Sequence, residues 1–397
     1  MKKNLLLFSF SLFLLVTNSF SQQYIPYYGL VVEQCSQGNI TSNLTSFESL
    51  GLKRRGTLAL DTTFNWLQSK YLSFGYSANQ IAEDSYTYTG SSSVCKNLIV
   101  TKVGTVYPNT YIIVCGHYDS IGGTGTNDNG SGLVSILETA RLLRSIPTEY
   151  SIKFINFSGE EDGLYGSKHY VNNIVNGTTP KMNIRLIINI DEVGGVAGLI
   201  NNTITCERDT NNSPSTNNAL STAMTNELIA CVGLYSPLNA FLSYAYASDY
   251  MSFQANNETI TGLFETNETT HKHTNTDLLI NMDPVYNYKV AKVLIGATMH
   301  FAIAATSNLA YQEYEDSYQV SFYPNPANDT LNINLGSITE TNYSFSLVDL
   351  EGKVVFRKEV QNAHLIESIT LEGFSKGMYL AILQTATKRI TKKIIVE

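Results

Sequence analysis

Charged residues are scarce in this chain of 397 residues. Asp, Glu, Lys and Arg together make up 15% of it, against roughly 25% in an average soluble domain. The net charge is -8, and the only basic cluster is Lys53-Arg54-Arg55, which we expect to lie on a solvated helix face. Because a nucleic-acid-binding surface needs a strong basic patch, this composition argues against nucleic acid as a partner.

Long apolar runs are also rare, and the N-terminus carries the most informative one. The basic segment Met1-Lys2-Lys3 precedes an apolar stretch from Leu5 to Val16, and Ser19-Phe20-Ser21 follows with a small-x-small cleavage pattern. The apolar stretch is shorter than the roughly 20 residues that a membrane span needs. We therefore predict a cleaved signal peptide over residues 1–22 and no transmembrane segment.

Cysteine is infrequent, and its count is odd: Cys35, Cys95, Cys115, Cys206 and Cys231. Export permits disulfides, but an odd count leaves at least one thiol. Cys115 lies inside a predicted central strand and is the expected free, buried thiol. Connectivity cannot be deduced from a sequence, so Cys35 with Cys95 and Cys206 with Cys231 are only the first pairings to test.

Up to about Ala305 the chain alternates apolar strand patterns with helical patterns. This alternation is typical of an α/β fold, and we predict a mixed central β-sheet with helices on both faces. Two predicted strands, Asn97 to Val100 and Tyr111 to Cys115, are expected to pair through a turn at Tyr107-Pro108-Asn109. The predicted helices are Asn43 to Leu52, Leu58 to Tyr76, Gly130 to Leu143, Gly166 to Val175, Ala219 to Val232 and Pro284 to Ile303.

The pattern changes after Ala305. Residues 306–319 are polar, rich in Tyr and acidic side chains, and are predicted to form a linker. Short strands separated by turn signals then predict a small C-terminal all-β sandwich over residues 320–397. The predicted strands are Thr330 to Leu335, Tyr343 to Asp349, Val354 to Val360, Leu365 to Leu371, Met378 to Gln384 and Lys392 to Val396.

Five short motifs rich in histidine and acidic residues lie in the first two thirds of the chain. Three of them follow predicted buried strands. Because open α/β sheets bind ligands at the carboxyl ends of their strands, these motifs are expected to converge. The motifs are Gly116-His117-Tyr118-Asp119-Ser120, Asn127-Asp128-Asn129-Gly130-Ser131-Gly132, Ser158-Gly159-Glu160-Glu161-Asp162-Gly163, Asn189-Ile190-Asp191-Glu192 and His273-Thr274-Asn275-Thr276-Asp277.

Together these side chains predict a site for two metal ions. Imidazole and carboxylate ligands suit Zn²⁺, with Mn²⁺ or Co²⁺ as substitutes. Two cations about 3.5–4 Å apart need a carboxylate between them, and Asp128 is the natural bridge because it lies in a glycine-rich loop before a helix. His117 and Asp191 would complete one metal site, and Glu161 and His273 the other, which leaves an open position for water.

Two further acidic residues have predicted roles beside the metals. Glu160, next to Glu161, is the candidate general base that takes the proton of the attacking water. Asp119 is expected to orient the imidazole of His117. The other histidines are predicted to be surface or loop residues, with His271 as the alternative to His273; they are His169, His271, His300 and His364.

These motifs resemble the family of di-zinc exopeptidases that includes secreted bacterial leucyl aminopeptidases and aminopeptidase Y. Glutamate carboxypeptidase and glutaminyl cyclase are more distant members. The resemblance covers about Ser46 to Ala305 and implies a zinc-exopeptidase catalytic domain over residues 23–305, with the same ligands and base. It also implies a cis peptide after Asp128 and, as substrates, peptides with a free N-terminus. 

The chain departs from that family at one motif. Ser248-Asp249-Tyr250 stands where secreted aminopeptidases often carry Ser-Asp-His. Tyr244 and Tyr246 remain open as candidates for a tyrosine that stabilises an oxyanion.

The C-terminal segment resembles the sorting domain of proteins exported by the type IX (Por) secretion system. This resemblance implies an interaction with the secretion machinery and a secreted or cell-surface location after transit through the periplasm. The matching residues are Tyr323-Pro324-Asn325-Pro326-Ala327, Leu350-Glu351-Gly352-Lys353-Val354-Val355, Leu371-Glu372-Gly373-Phe374-Ser375-Lys376-Gly377-Met378-Tyr379 and Lys392-Lys393-Ile394-Ile395-Val396.

The sequence therefore predicts a secreted two-zinc metallo-aminopeptidase that removes N-terminal residues from peptides. A glutaminyl cyclase-like transferase and a non-catalytic binding protein on the same fold are the alternatives. The cyclase is disfavoured because no Trp precedes His273-Thr274, and the single Trp66 is far away in sequence. The binding protein is disfavoured because every proposed ligand and the base are present.

Overall fold

The structure is a computed structural model that describes residues 22–87, 92–211, 213–306, 320–336, 338, 340–349, 353–362, 366–385 and 389–397. Residues 1–21 of the predicted signal peptide, residues 307–319 of the predicted linker, residues 350–352 and His364 lie outside the described residues. The chain divides into two compact units, Met1–Ser307 and Asn308–Glu397.

An eight-stranded mixed sheet forms the centre of the first unit, in the order β1-β2-β4-β3-β5-β8-β6-β7. The neighbours β4, β3, β5 and β8 run parallel, and β1, β2 and β6 pair antiparallel with their neighbours β2, β4 and β8. The strands are β1 (Ile81–Tyr86), β2 (Cys95–Lys102), β3 (Tyr107–His117), β4 (Tyr150–Phe157), β5 (Asn183–Ile190), β6 (Thr203–Arg208), β7 (Asn239–Tyr244) and β8 (Ile260–Glu265).

Helices cover both faces of this sheet, so the predicted fold class is confirmed. Alternate residues of β3 enter different cores: Ile112 and Val114 pack in one apolar cluster, and Ile113 and Cys115 in the other. The helices are α1 (Pro26–Val32), α2 (Gln37–Ser49), α3 (Leu58–Ser73), α4 (Gly130–Leu143), α5 (Tyr165–His169), α6 (Asn218–Tyr235), α7 (Tyr250–Ala255) and α8 (Pro284–Phe301), and a short π-helix over Tyr170–Val175 follows α5.

Helix α4 packs against the central strands β3, β4 and β5. It begins at Gly130, as the sequence predicts. The side chain of Asn129 caps it by accepting a hydrogen bond of 3.0 Å from the backbone N–H of Gly132. All its residues except Arg141 are buried, which explains the dense apolar pattern of this segment. Among the described residues, no helix is long and apolar enough to cross a membrane.

The predicted pairing of β2 with β3 is wrong. β4 lies between them, antiparallel to β2 and parallel to β3. Parallel neighbours need a crossover connection, and α4 supplies it between β3 and β4. The segment at Tyr107-Pro108-Asn109 therefore begins β3 and does not close a hairpin.

The two suggested disulfides are also wrong, because all five cysteines are free and buried. Cys35 precedes Ser36, whose backbone N–H donates to Glu138 of α4, whereas Cys95 pairs with Tyr86 in the sheet. Burial raises the pKa of the Cys231 thiol to about 12. Cys115 is the free, buried thiol that was expected.

The described residues of the second unit form two antiparallel sheets around one apolar core, as expected for a small all-β domain. The residues of strand β11 alternate between buried and half-buried. This alternation fits a strand that turns one face to the core, because successive side chains point to opposite faces of a sheet. One sheet has the order β13-β10-β9 and the other β12-β11-β14-β15. The strands are β9 (Ser321–Tyr323), β10 (Thr330–Asn334), β11 (Tyr343–Val348), β12 (Val354–Val360), β13 (Ile366–Thr370), β14 (Gly377–Gln384) and β15 (Arg389–Val396).

We predict that a chain ending at Ala305 folds without the second unit, because the two units bury separate apolar cores. Far-UV circular dichroism during heating should show one cooperative transition, at a Tm within a few degrees of that unit's transition in the full chain. A gradual, non-cooperative loss of signal would instead show that the first unit needs residues 320–397.

Candidate metal centre

The structure brings the five predicted ligands together in two groups that share Asp128. One group contains His117, Asp128 and Asp191, and the other contains Asp128, Glu161 and His273. Within each group the ligand atoms all lie within 4.8 Å of one another. This spacing allows each group to close around one cation.

Asp128 faces both groups through its two carboxylate oxygens. Its Oδ1 lies 3.2 Å from Nε2 of His117, and its Oδ2 lies 3.1 Å from Nε2 of His273. Asp191 Oδ1 lies 3.3 Å from the same His117 nitrogen, and Glu161 Oε2 lies 3.0 Å from His273 Nε2. Asp128 thus lies between the two groups, with one imidazole and one further carboxylate on either side.

The ends of the central parallel strands supply most of these ligands. His117 is the last residue of β3, Asp191 directly follows β5, and Glu160 and Glu161 follow β4. Asp128 precedes α4, and its peptide bond to Asn129 is cis, as the resemblance implied. The predicted ligands that follow these strands therefore do meet at the carboxyl edge of the sheet, as the sequence indicated.

His273 comes from a loop that packs tightly on another loop. A Cβ atom added at Gly122 would lie 2.1 Å from the backbone oxygen of His273, and one at Gly123 would lie 2.0 Å from that of Thr274. Only glycine permits this approach, so the glycine pair after the His117 motif positions the last ligand.

Asp119 acts on its neighbours differently from the prediction. The Nδ1 atom of His117 contacts the backbone carbonyl of Asp119 at 3.1 Å, while the Asp119 carboxylate is 3.7 Å away. That carboxylate accepts hydrogen bonds of 3.2 Å from the backbone N–H groups of Glu160 and Glu161. Asp119 thus orients the imidazole through its main chain and the paired glutamates through its side chain.

Two residues without a predicted role hold the ligands in place. The Asp277 carboxylate accepts hydrogen bonds from the backbone N–H groups of Asn127 and Asp128, at 2.8 and 3.1 Å. The Ser248 hydroxyl donates to Asp191 Oδ2 at 2.5 Å. Asp277 belongs to the His273 motif and Ser248 to the departing Ser-Asp-Tyr motif, so the sequence contained a signal for both.

The basic triplet does not lie on a solvated helix face: Lys53 is buried, and Arg54 and Arg55 are half-buried. It falls between α2 and α3, where Lys53 is inaccessible and donates to the backbone oxygen of Thr124 at 2.7 Å. Burial is the main reason why the pKa of Lys53 falls to about 7. Arg54 pairs with Asp162, the residue after Glu161, at 2.7 Å.

The remaining described histidines lie outside both ligand groups. His271, the alternative to His273, contacts the hydroxyl of Thr276 through Nδ1 at 2.8 Å. His169 pairs with Asp84, and His300 contacts the hydroxyl of Tyr235.

The two candidate tyrosines make contacts with residues outside the ligand groups. The hydroxyl of Tyr244 accepts a hydrogen bond from Arg208. Tyr246 is exposed and packs near Phe264, with ring centroids 6.1 Å apart. The adjacent Tyr250 is buried, and its hydroxyl donates to Glu207 at 2.6 Å.

The electrostatics of the site favour bound cations. Burial, followed by the charge of Asp128, raises the pKa of Glu161 to about 8, and burial raises that of Glu160 well above its ordinary value. Burial would also raise the pKa of Asp128, but hydrogen bonds to His117 and His273 lower it. Asp191 Oδ1 is a buried oxygen without a hydrogen-bond partner. Crowded carboxylates with an orphaned acceptor fit divalent metal ions.

Comparison with known proteins identifies two families along the chain. The model of peptidase family M28 matches residues 97–298. The model of the secretion system C-terminal sorting domain matches residues 321–397. Both resemblances drawn from the sequence are confirmed.

Individual relatives match shorter segments or the fold alone. Aminopeptidase YwaD of Bacillus subtilis is 43% identical over 84 residues, which are 21% of this chain and 18% of that protein. The chain spans less than half the length of the curated relatives it matches.

Two solved structures share the fold. LapA of Legionella pneumophila has a TM-score of 0.61 at 19% identity, covering 71% of this chain and 77% of its own. The glutaminyl cyclase of Macrostomum lignano has a TM-score of 0.60 at 14% identity, covering 70% of this chain and 93% of its own. These two likenesses show the fold and do not distinguish the two activities.

We predict that removing metal destabilises the protein more at pH 8 than at pH 5. The folded pKa of Glu161 is about 8, above its ordinary value of 4.5, so the metal-free fold loses stability as the pH rises through that interval. Metal binding favours the ionised carboxylates and reverses this loss. The Tm difference between metal-loaded and metal-stripped protein should grow by several degrees from pH 5 to pH 8. A difference that stayed constant or shrank would contradict the metal assignment.

Proposed function

Because the chain belongs to peptidase family M28, we propose that it is a secreted two-zinc aminopeptidase that removes N-terminal residues from peptides. The observation that carries the proposal is the pair of ligand groups joined by Asp128, with Glu160 beside them. The relative with 43% identity over 84 residues is itself named an aminopeptidase. We also propose that residues 23–305 form the catalytic unit.

In this proposal His117, Asp128 and Asp191 hold one zinc ion, and Asp128, Glu161 and His273 hold the other. Bound zinc supplies a Lewis acid that polarises the scissile carbonyl and lowers the pKa of water. The chain contributes the fixed ligand positions: Asp277 holds the backbone of Asp128, Asp119 that of Glu161, and Ser248 the carboxylate of Asp191.

Glu160 is the proposed general base. Its Oε2 lies 4.0 Å from His117 Nε2, at the edge of the first ligand group, and its backbone N–H donates to Asp119. Burial raises its pKa above the ordinary value, so the ionised carboxylate is a stronger base than an exposed glutamate. Glu160 takes the proton of the attacking water and then delivers it to the departing amine.

The second unit directs the protein out of the cell in this proposal. The match over residues 321–397 to the sorting-domain model supports this role. The predicted signal peptide over residues 1–22 would take the chain into the periplasm first, before the secretion machinery recognises the C-terminal unit. The mature enzyme would then be secreted or displayed on the cell surface.

The activity is tested by mutation of the base and of the bridge, with leucyl-4-nitroanilide as substrate. Glu160→Gln should keep its zinc but lose about 10²–10⁴-fold in kcat, the range for a positioned acid–base group. Asp128→Asn should instead lose zinc, measured by elemental analysis of the dialysed protein.

N-Acetyl-leucyl-4-nitroanilide is the matched control substrate and should not be cleaved. Near-normal turnover by Glu160→Gln would remove the role of Glu160 and make Glu192 the next candidate. Cyclisation of an N-terminal glutamine, without hydrolysis of any aminoacyl-nitroanilide, would favour the transferase alternative.

Export is tested by deleting residues 320–397 in the native host. The truncated enzyme should accumulate in the periplasm while keeping its activity, because every proposed ligand lies at or before His273. Fractionation followed by the nitroanilide assay measures both properties. Active truncated enzyme in the medium would show that residues 320–397 are not needed for sorting.

A further inference from the structure

An ion pair joins two residues that stand next to ligands of the two groups. Lys272 precedes the ligand His273, and Glu192 follows the ligand Asp191. The Nζ atom of Lys272 lies 3.2 Å from Oε1 of Glu192. The ion pair therefore joins the neighbour of a ligand in one group to the neighbour of a ligand in the other, which puts the ammonium group next to both groups.

The ammonium group of Lys272 is bordered by aromatic rings and a second carboxylate. It lies 5.6 Å from the ring centroid of Tyr246 and 5.9 Å from that of Phe264. It also pairs with Glu268, whose side chain is half exposed. The rings of Tyr246 and Phe264 thus lie near the Lys272 ammonium group, beside the proposed metal ligands.

The cation is the accessible member of the inner pair. The Lys272 side chain is 20% exposed and that of Glu192 only 7%, and Glu192 Oε2 is buried without a partner. Glu192 is therefore the buried partner that holds the ammonium group, and Lys272 is the partly exposed one. The exposed pair with Glu268 is weak and exchangeable, as surface ion pairs are.

We propose that Lys272 is the specificity-determining residue of this site and selects peptides whose N-terminal residue carries an acidic side chain. The incoming carboxylate displaces that of Glu268 on the ammonium group, and the methylene groups of the substrate pack against Tyr246 and Phe264. An acidic residue fits better than a basic one because the reachable charge is positive. This inference rests on the proposed aminopeptidase function.

The test compares glutamyl-, leucyl- and lysyl-4-nitroanilide with the zinc-loaded full chain. Wild type should cleave the glutamyl substrate at least about 10-fold more efficiently than the lysyl one. Lys272→Met should lower kcat/KM for the glutamyl substrate by about 10–100-fold, the range of a charged hydrogen bond, mainly through KM. The ratio of glutamyl to leucyl kcat/KM should fall by about 10-fold or more, since the leucyl side chain makes no contact with the ammonium group.

Two variants serve as controls. Glu268→Gln should keep or increase the glutamyl preference, because it removes the competitor for the ammonium group. Lys96→Met removes a lysine that also pairs with a glutamate, Glu83 at 3.0 Å, but lies outside the ligand groups. It should leave the ratio of glutamyl to leucyl cleavage unchanged.

Calorimetric titration with free L-glutamate, L-leucine and L-lysine provides a readout that does not need turnover. Tighter binding of L-glutamate that is lost in Lys272→Met would support the inference even if no nitroanilide were cleaved, in which case the proposed function alone would fail. A preference for the lysyl substrate, or a glutamyl preference unaffected by Lys272→Met, would overturn the inference while leaving aminopeptidase activity intact.

Discussion

The position of the Asp128 carboxylate is the constraint on which the site depends. Each of its oxygens faces the imidazole of a different ligand group, at 3.2 and 3.1 Å. Such a bridge works only if the backbone that carries it is fixed, and Asp277 fixes it by accepting two consecutive backbone N–H groups. The buried carboxylates on either side of Asp128 repel one another when they are ionised. A bound cation reduces this repulsion, so the folded site favours cations.

Parts of the chain outside the matched peptidase segment help to fix this geometry. Lys53 precedes residues 97–298, yet it holds the backbone of Thr124, close to the bridging loop. Glu48 of α2 accepts hydrogen bonds from Thr126 and from the backbone N–H of Leu279. The N-terminal helices thus act as a support that joins the loop before Asp128 to the loop after His273.

The sequence predicted the ligand groups and the type of sheet because these depend on local patterns. Apolar strands that end in His or Asp identify the edge of the sheet where ligands meet, and α4 begins at Gly130 as its motif indicated. Pairing between distant segments was not predictable: β4 lies between β2 and β3 because a crossover helix joins β3 to β4. The burial of Lys53 was not predicted either. Its partners are the backbone oxygens of Gly51 and Thr124, and a backbone oxygen is present at every residue, so the sequence does not identify them.

We propose that two metal ions share the Asp128 carboxylate. Crystals of the zinc-loaded protein, measured at wavelengths above and below the zinc absorption edge, test it directly. We expect two anomalous peaks about 3.5–4 Å apart, one contacting His117 and Asp191 and the other Glu161 and His273, with Asp128 contacting both. A single peak, or two peaks that do not share Asp128, would contradict it.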